Sequence, residues 1–153
     1  MRAKLPGLDA STLWGCSAWL HQRRWFRLAR VVKALNYVIF RTILPPEAKM
    51  AAVPALMHHG LGVVIHPTTE FGSGVTLGHQ VTIAASPADA RGHVDPVLLE
   101  DRVFVGAGAI LLARSGPLRI GRGAVIGAGS VVVDDVPAGG RVFGNPARPP
   151  RTL

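Results

Sequence analysis

A hydrophobic residue returns at every sixth position through most of this chain. Leu44, Met50 and Leu56 form one run. Ile65, Phe71, Leu77 and Ile83 form the next, followed by Leu99, Val105 and Leu111, and then Ile120, Ile126 and Val132. The steps between runs are nine, sixteen and nine residues, so the register is interrupted and then resumes. Four positions after the repeated residue stands a small or β-branched one: Thr69, Val75, Val81, Val103, Ala109, Ala124 and Ser130. Glycine often follows the repeated residue directly, as at Gly72, Gly78, Gly106, Gly121 and Gly127. A fixed period decides the architecture ahead of local propensity. Six residues suit one short strand and a corner, and three such units close one triangular turn of a parallel β-helix. The repeated residue is expected to point inward, and the glycine beside it to supply a corner with positive φ. The thirteen hexads make a little over four coils, a prism about 20 Å tall at the usual strand spacing.

Residues 44–136 therefore read as the coil, residues 1–43 as a helical segment, and residues 137–153 as a Pro/Gly/Arg-rich tail that continues neither pattern. In the helical segment Trp25, Leu28, Val32, Leu35 and Ile39 recur at spacings of three and four, the mark of an amphipathic helix. Arg24, Arg27, Arg30 and Lys33 recur every third residue and break up the apolar run, which argues against a membrane span. Two readings stay open for this helix. Its basic face makes peripheral contact with an anionic membrane surface, or its apolar side covers the open end of the coil, where strand edges and core would otherwise meet water.

Composition sharpens this division. The hydrophobic fraction of 48% excludes a disordered chain. Of the net charge of +8, residues 1–49 supply nine Lys/Arg against Asp9 and Glu47, while the rest holds eight against seven acids. The coil is nearly neutral and the N-terminal segment carries the charge. No nucleic-acid motif accompanies it, so no nucleic-acid partner is expected. A single cysteine, Cys16, cannot form an internal disulfide, and no signal-peptide pattern opens the chain; a cytoplasmic setting is expected. Three insertions interrupt the coil: His58–Gly62, Ala84–Pro96 and Arg114–Pro117. On a rigid scaffold, insertions are where binding and chemistry concentrate. The flat sides of so short a prism are expected to associate into a threefold ring.

Several stretches resemble the serine O-acetyltransferases, most closely the short forms associated with exopolysaccharide synthesis. They are Leu44-Pro-Pro-Glu-Ala-Lys-Met50, His59-Gly-Leu-Gly-Val-Val-Ile65, Val75-Thr-Leu-Gly-His-Gln-Val-Thr-Ile83, Val105-Gly-Ala-Gly-Ala109, Ile120–Val132 and Gly144-Asn-Pro-Ala-Arg148. The hexads and the Gly-Asn-Pro-Ala-Arg ending are shared by hexapeptide-repeat acyltransferases generally. The His-x-x-Gly-Val-Val-Ile element is the part specific to the serine branch. The resemblance implies a mainly β fold, a left-handed parallel β-helix with an N-terminal helical segment, that works as a homotrimer. It also implies acetyl-CoA as acyl donor and a serine or sugar hydroxyl as acceptor. By the same resemblance the catalytic base falls on His59, where a neutral imidazole suits removal of a hydroxyl proton. Contacts to CoA fall on Ala107, Ala128 and Arg148, the last for phosphate. His58 and His93 fall on acceptor-binding positions. No metal is implied: a zinc reading through His59, His66 and His79 lacks the His-x4-His pair of the β-helical carbonic anhydrases.

The chain departs from the family pattern at three places. The carboxylate that partners the catalytic histidine in the family falls on Ile43, or on Leu44 with a shift of one. Glu47, Glu70 or a backbone carbonyl remain as orienting groups. The acid that precedes the catalytic histidine is replaced by His58, and the family's Arg-His-Pro segment becomes His93-Val-Asp-Pro96. These changes favour an acceptor other than serine, and the missing carboxylate opens an alternative, a non-catalytic trimeric scaffold of the same fold.

Overall fold

The computed structural model describes residues 9–90 and 92–150; the first eight residues of the helical segment, Arg91 in the long insertion and the last three residues of the tail lie outside the described residues. Two helices, α1 (Ala10–Gln22) and α2 (Phe26–Phe40), precede a run of very short strands. These strands stack in three parallel sheets. The first holds β1 (Lys49–Met50), β4 (Glu70–Phe71), β7 (Val97–Leu99) and β10 (Leu118–Ile120). The second holds β2 (Ala55–Leu56), β5 (Thr76–Leu77), β8 (Phe104–Val105), β11 (Val125–Ile126) and β13 (Arg141–Val142). The third holds β3 (Val64–Ile65), β6 (Thr82–Ala85), β9 (Ile110–Ala113) and β12 (Val131–Val132). Each strand pairs with its counterpart one coil away, as Phe71 with Leu99 and Leu77 with Val105. This is the parallel β-helix that the six-residue period predicts.

The repeated residues fill the interior, with Ile65, Leu77, Ile83, Val105, Leu111, Ile120 and Ile126 at 2% exposure or less. Met50 and Leu56, in the first coil, are only half-buried. The coil also runs past the boundary expected at residue 136. Val136 bridges Ile120, and Arg141–Val142 pair in parallel with Val125–Ile126, so part of the supposed tail forms a further rung.

The glycines after the repeated residue do a different job from the one their position suggests. Positive φ occurs two residues later, at Gly74, Gly108 and Gly129 and also at Gln80. Gly78 and Gly106 are needed for close approach. A Cβ at Gly106 would lie 2.5 Å from Ala128 N and 2.9 Å from Ala128 Cα, and one at Gly78 would lie 2.5 Å from Ala107 N. The obstacle is backbone, so Gly106→Ala is expected to force coils apart at a cost of about 2 kcal/mol. A urea titration checks this as a lower midpoint at an unchanged slope.

The cover on the open end is α1, not the amphipathic α2. Asp9 caps α1, accepting from Thr12 N at 2.7 Å and from the Thr12 hydroxyl at 2.8 Å. Trp14 is fully buried against Phe71, and the Ser11 hydroxyl donates to Pro54 O at 3.0 Å. Helix α2 lies on α1 through a small and polar face. Ala29 and Asn36 are its buried residues, and Asn36 Nδ2 donates to Ala10 O at 3.0 Å while its Oδ1 accepts from the Thr42 hydroxyl at 3.2 Å. The face expected to be covered stays outside: Trp25, Leu28, Leu35 and Ile39 are all exposed. The inner face is instead the one whose buried amide joins α2 to both α1 and the first residues of the coil.

Candidate active site

One vertical edge of the prism, between the second and third sheets, gathers the residues of interest. Each coil turns this corner once, at Met57–Gly60, then after β5, β8 and β11. Successive corners are hydrogen-bonded in a column: Gln80 N to Leu61 O at 2.7 Å, Gly108 N to His79 O at 2.9 Å, and Gly129 N to Ala107 O at 2.8 Å. Gly144 N donates to the Ser130 hydroxyl at 3.1 Å at the end of the column. His59, Ala107 and Ala128 thus share one edge, and Arg148 stands at its far end, where Phe143 and Arg148 exchange backbone hydrogen bonds at 2.9 Å.

The insertion at His58–Gly62 makes the first corner unusual. His58 (φ 51°) and His59 (φ 57°) are both left-handed, and Gly60 (φ 70°) continues the conformation. Consecutive non-glycine residues in this region hold strain of about 1–3 kcal/mol each, which persists where the surroundings over-determine it and clusters at functional sites. Gly60 is held between Leu56 and Thr42, and Val63 N donates to Gly60 O at 2.8 Å. Both imidazoles project as exposed groups. The His59 ring stacks on Phe40, the last residue of α2, at 5.9 Å between centroids and 19° between planes. No hydrogen bond or ion pair reaches His59 from the described residues. Ile43 stands at the expected acidic position and is 41% exposed, while Leu44 is buried in the core. Glu70 is engaged by Lys49 Nζ at 2.7 Å on the first sheet. Among the described residues the His59 ring therefore has an aromatic neighbour and no carboxylate partner.

The sequence reading left two contributors out. One is Phe40. The other is His79, which stands edge-on to His58 at 5.1 Å. Its Nδ1 is buried with no hydrogen-bond partner among the described residues. The available signal was the coil register, which places the corner after Leu77 directly beside the corner after Leu56. His66 does belong to the surface: its Nδ1 meets the Thr68 hydroxyl at 2.9 Å within its own turn.

His93 is not with His59 in the same chain. It sits on the next edge, between the third and first sheets, with Nε2 3.4 Å from Asp95 Oδ1. Asp95 Oδ2 accepts from Gly116 N at 2.9 Å, so the long insertion and the Arg114–Pro117 insertion are joined there. A cavity of about 400 Å³ on that edge is lined by Arg114, Ser115, Pro117, Asp134 and Asp135. Arg148 Nη1 pairs with Asp134 Oδ2 at 3.1 Å, both groups being largely exposed. Surface pairs of this kind are weak, so the guanidinium remains open to a competing anion. Among the described residues no three metal-ligating side chains converge.

No protein-family model matches the chain. It is 36% identical over 143 residues to the serine acetyltransferase of Helicobacter pylori strain 26695, covering 94% of this chain and 80% of that protein. Soybean serine acetyltransferase complexed with serine superposes with a TM-score of 0.78 at 30% identity, over 92% of this chain and 56% of that one. Serine acetyltransferase from Brucella abortus strain S19, in complex with coenzyme A, gives a TM-score of 0.80 at 28% identity, over 92% and 54%. The chain thus spans little more than half the length of these solved relatives. Their shared fold is the left-handed β-helix.

Proposed function

The chain belongs to the serine acetyltransferase family, and from that premise we propose that it transfers the acetyl group of acetyl-CoA to the hydroxyl of serine. One observation carries the reading most directly. A histidine held in a strained left-handed turn lies on the same edge as the stacked Ala107 and Ala128 corners. In this reading CoA runs along that edge, with the backbone at Ala107 and Ala128 meeting its pantetheine arm and Arg148 meeting phosphate. The His59 imidazole removes the proton from the acceptor hydroxyl as its oxygen attacks the thioester carbonyl. The resulting oxyanion is stabilised by N–H donors. Collapse forms the ester and breaks the carbon–sulfur bond, and the proton held by His59 passes to the leaving thiolate.

The acceptor side is made by His58 and, from a neighbouring subunit, His93. A homotrimer supplies that neighbour, since within one chain His93 occupies a different edge from His59. Among the described residues no helix is long and apolar enough to cross a membrane. A cytoplasmic setting suits a CoA donor and the exposed, unpaired Cys16.

The test is thiol release from acetyl-CoA by the purified full chain, with L-serine and then a panel of sugars. Serine-dependent release is expected. Release with a sugar and none with serine would overturn serine and move the acceptor to a saccharide. Binding of acetyl-CoA without release on any acceptor supports a scaffold.

A further inference from the structure

We infer that the outer face of α2 is a docking surface for an anionic lipid bilayer, a role separate from acetyl transfer. The face is a continuous apolar stripe on the side away from Ala29 and Asn36. Leu28, Val31, Leu35, Val38 and Ile39 are 51%, 54%, 48%, 65% and 52% exposed. Their spacings of three and four place them along one side of the helix. Arg27 and Arg30 flank the stripe, and both are exposed. At the turn into α2 lies an aromatic group, with Trp25 edge-on to Trp19 at 6.4 Å and the Arg23 guanidinium 4.8 Å above the Trp19 ring. Exposed tryptophans beside arginines are what a water–lipid boundary accommodates, ring toward the acyl region and charge toward the headgroups.

Charge decides which occupant this face fits. Residues 10–46 hold six Lys/Arg and no Asp or Glu. A second copy of the same helix laid against the stripe would set arginine against arginine. A neutral apolar partner would leave those cations without a counterpart. An anionic bilayer answers both features, since the stripe enters the acyl boundary while the arginines meet phosphate. Fifteen residues of helix span about 22 Å, so the contact lies along the surface.

The experiment uses the full chain with vesicles of phosphatidylcholine alone, and with about one third phosphatidylglycerol, read by co-sedimentation. Strong binding to the mixed vesicles is expected, at least tenfold above the neutral ones and lost at high salt. Leu35→Glu and Val38→Glu, on the stripe, and the pair Arg27→Glu with Arg30→Glu, on its flank, should each reduce binding at least tenfold. Thiol release from acetyl-CoA should stay as in the parent chain, which shows that the variants remain folded. Equal binding to neutral vesicles, no binding by the parent chain, or undiminished binding by the variants would overturn the inference. So would a drop in assembly size on Leu35→Glu, because the stripe would then join copies of this chain.

Discussion

Substituting His59 by asparagine is expected to lower the kcat of acetyl transfer by about a hundred- to ten-thousandfold, the range carried by a positioned general base. Asparagine is the informative replacement because the position has φ 57°. Its short polar side chain tolerates the left-handed region, so the turn is kept while the base is lost. His59→Ala removes the ring as well and leaves Phe40 without the surface it stacks on. In both variants the KM for acetyl-CoA should change little, since the donor is assigned to the corners at Ala107 and Ala128 and to Arg148. Steady-state thiol release separates the two parameters. A variant that keeps full kcat would remove His59 from the chemistry. Equal losses in kcat and in acetyl-CoA affinity would instead mean that the whole corner had collapsed. The parent enzyme offers a second comparison. A carboxylate beside the imidazole sets its tautomer and stabilises the imidazolium in related acid–base sites, whereas here Ile43 stands at that position and the imidazole stacks on the Phe40 ring. The ring restrains orientation without contributing charge, so the reaction catalysed by this chain should depend on Phe40 for geometry and have no counterpart of the family's acid to lose.

The coil was legible because its determinant is local and periodic. Ile65, Phe71, Leu77 and Ile83 announce the interior, and each lies there. The last rung was hidden by one irregular step. Val136 and Val142 are themselves six apart, but Val136 follows Val132 by four, and the intervening Pro137-Ala-Gly-Gly140 reads as tail. Pairing with Ile120 and Ile126 restores the register, which only the neighbouring coil reveals. Helix α2 shows a different failure. Counting apolar residues selects Leu28, Leu35 and Ile39 as its inner face, whereas the inner face is set by the hydrogen bonds of Asn36 to Ala10 and Thr42. Hydropathy scores an asparagine as outward, and a satisfied buried amide is invisible to it. At the site, His59 could be found from its motif. Phe40 could not, because its role depends on which helix end comes to rest beside the His58–Gly60 turn, whereas His79 needed the coil register carried one corner further.

Replacing Trp14 by alanine is expected to cost about 3–5 kcal/mol. Trp14 is fully buried, edge-on to Phe71 at 5.5 Å, and its Nε1 donates to Pro45 O at 2.8 Å. Alanine would open a cavity where α1 meets the first coil and leave the Pro45 carbonyl with only the longer bond from Ala48 N, at 3.4 Å. Against a total of roughly 5–15 kcal/mol for a domain of this kind, that is a large fraction. Trp14→Phe keeps most of the apolar contact and loses the donor, so its cost should be about 1 kcal/mol, the net worth of one hydrogen bond whose acceptor keeps a second donor in Ala48 N. Trp19→Ala, at a side chain 48% exposed, should stay within about 1 kcal/mol, the scale of a surface substitution. Urea midpoints of the three variants rank these effects. A Trp14→Ala loss no greater than that of Trp19→Ala would mean that α1 does not close the end of the coil. The expected ranking has a functional consequence. Helix α1 holds α2 through Ala10 and Asn36, and α2 ends on Phe40 against His59. Loosening the cover at Trp14 should therefore lower kcat at urea concentrations well below the unfolding midpoint, before the coil itself unfolds.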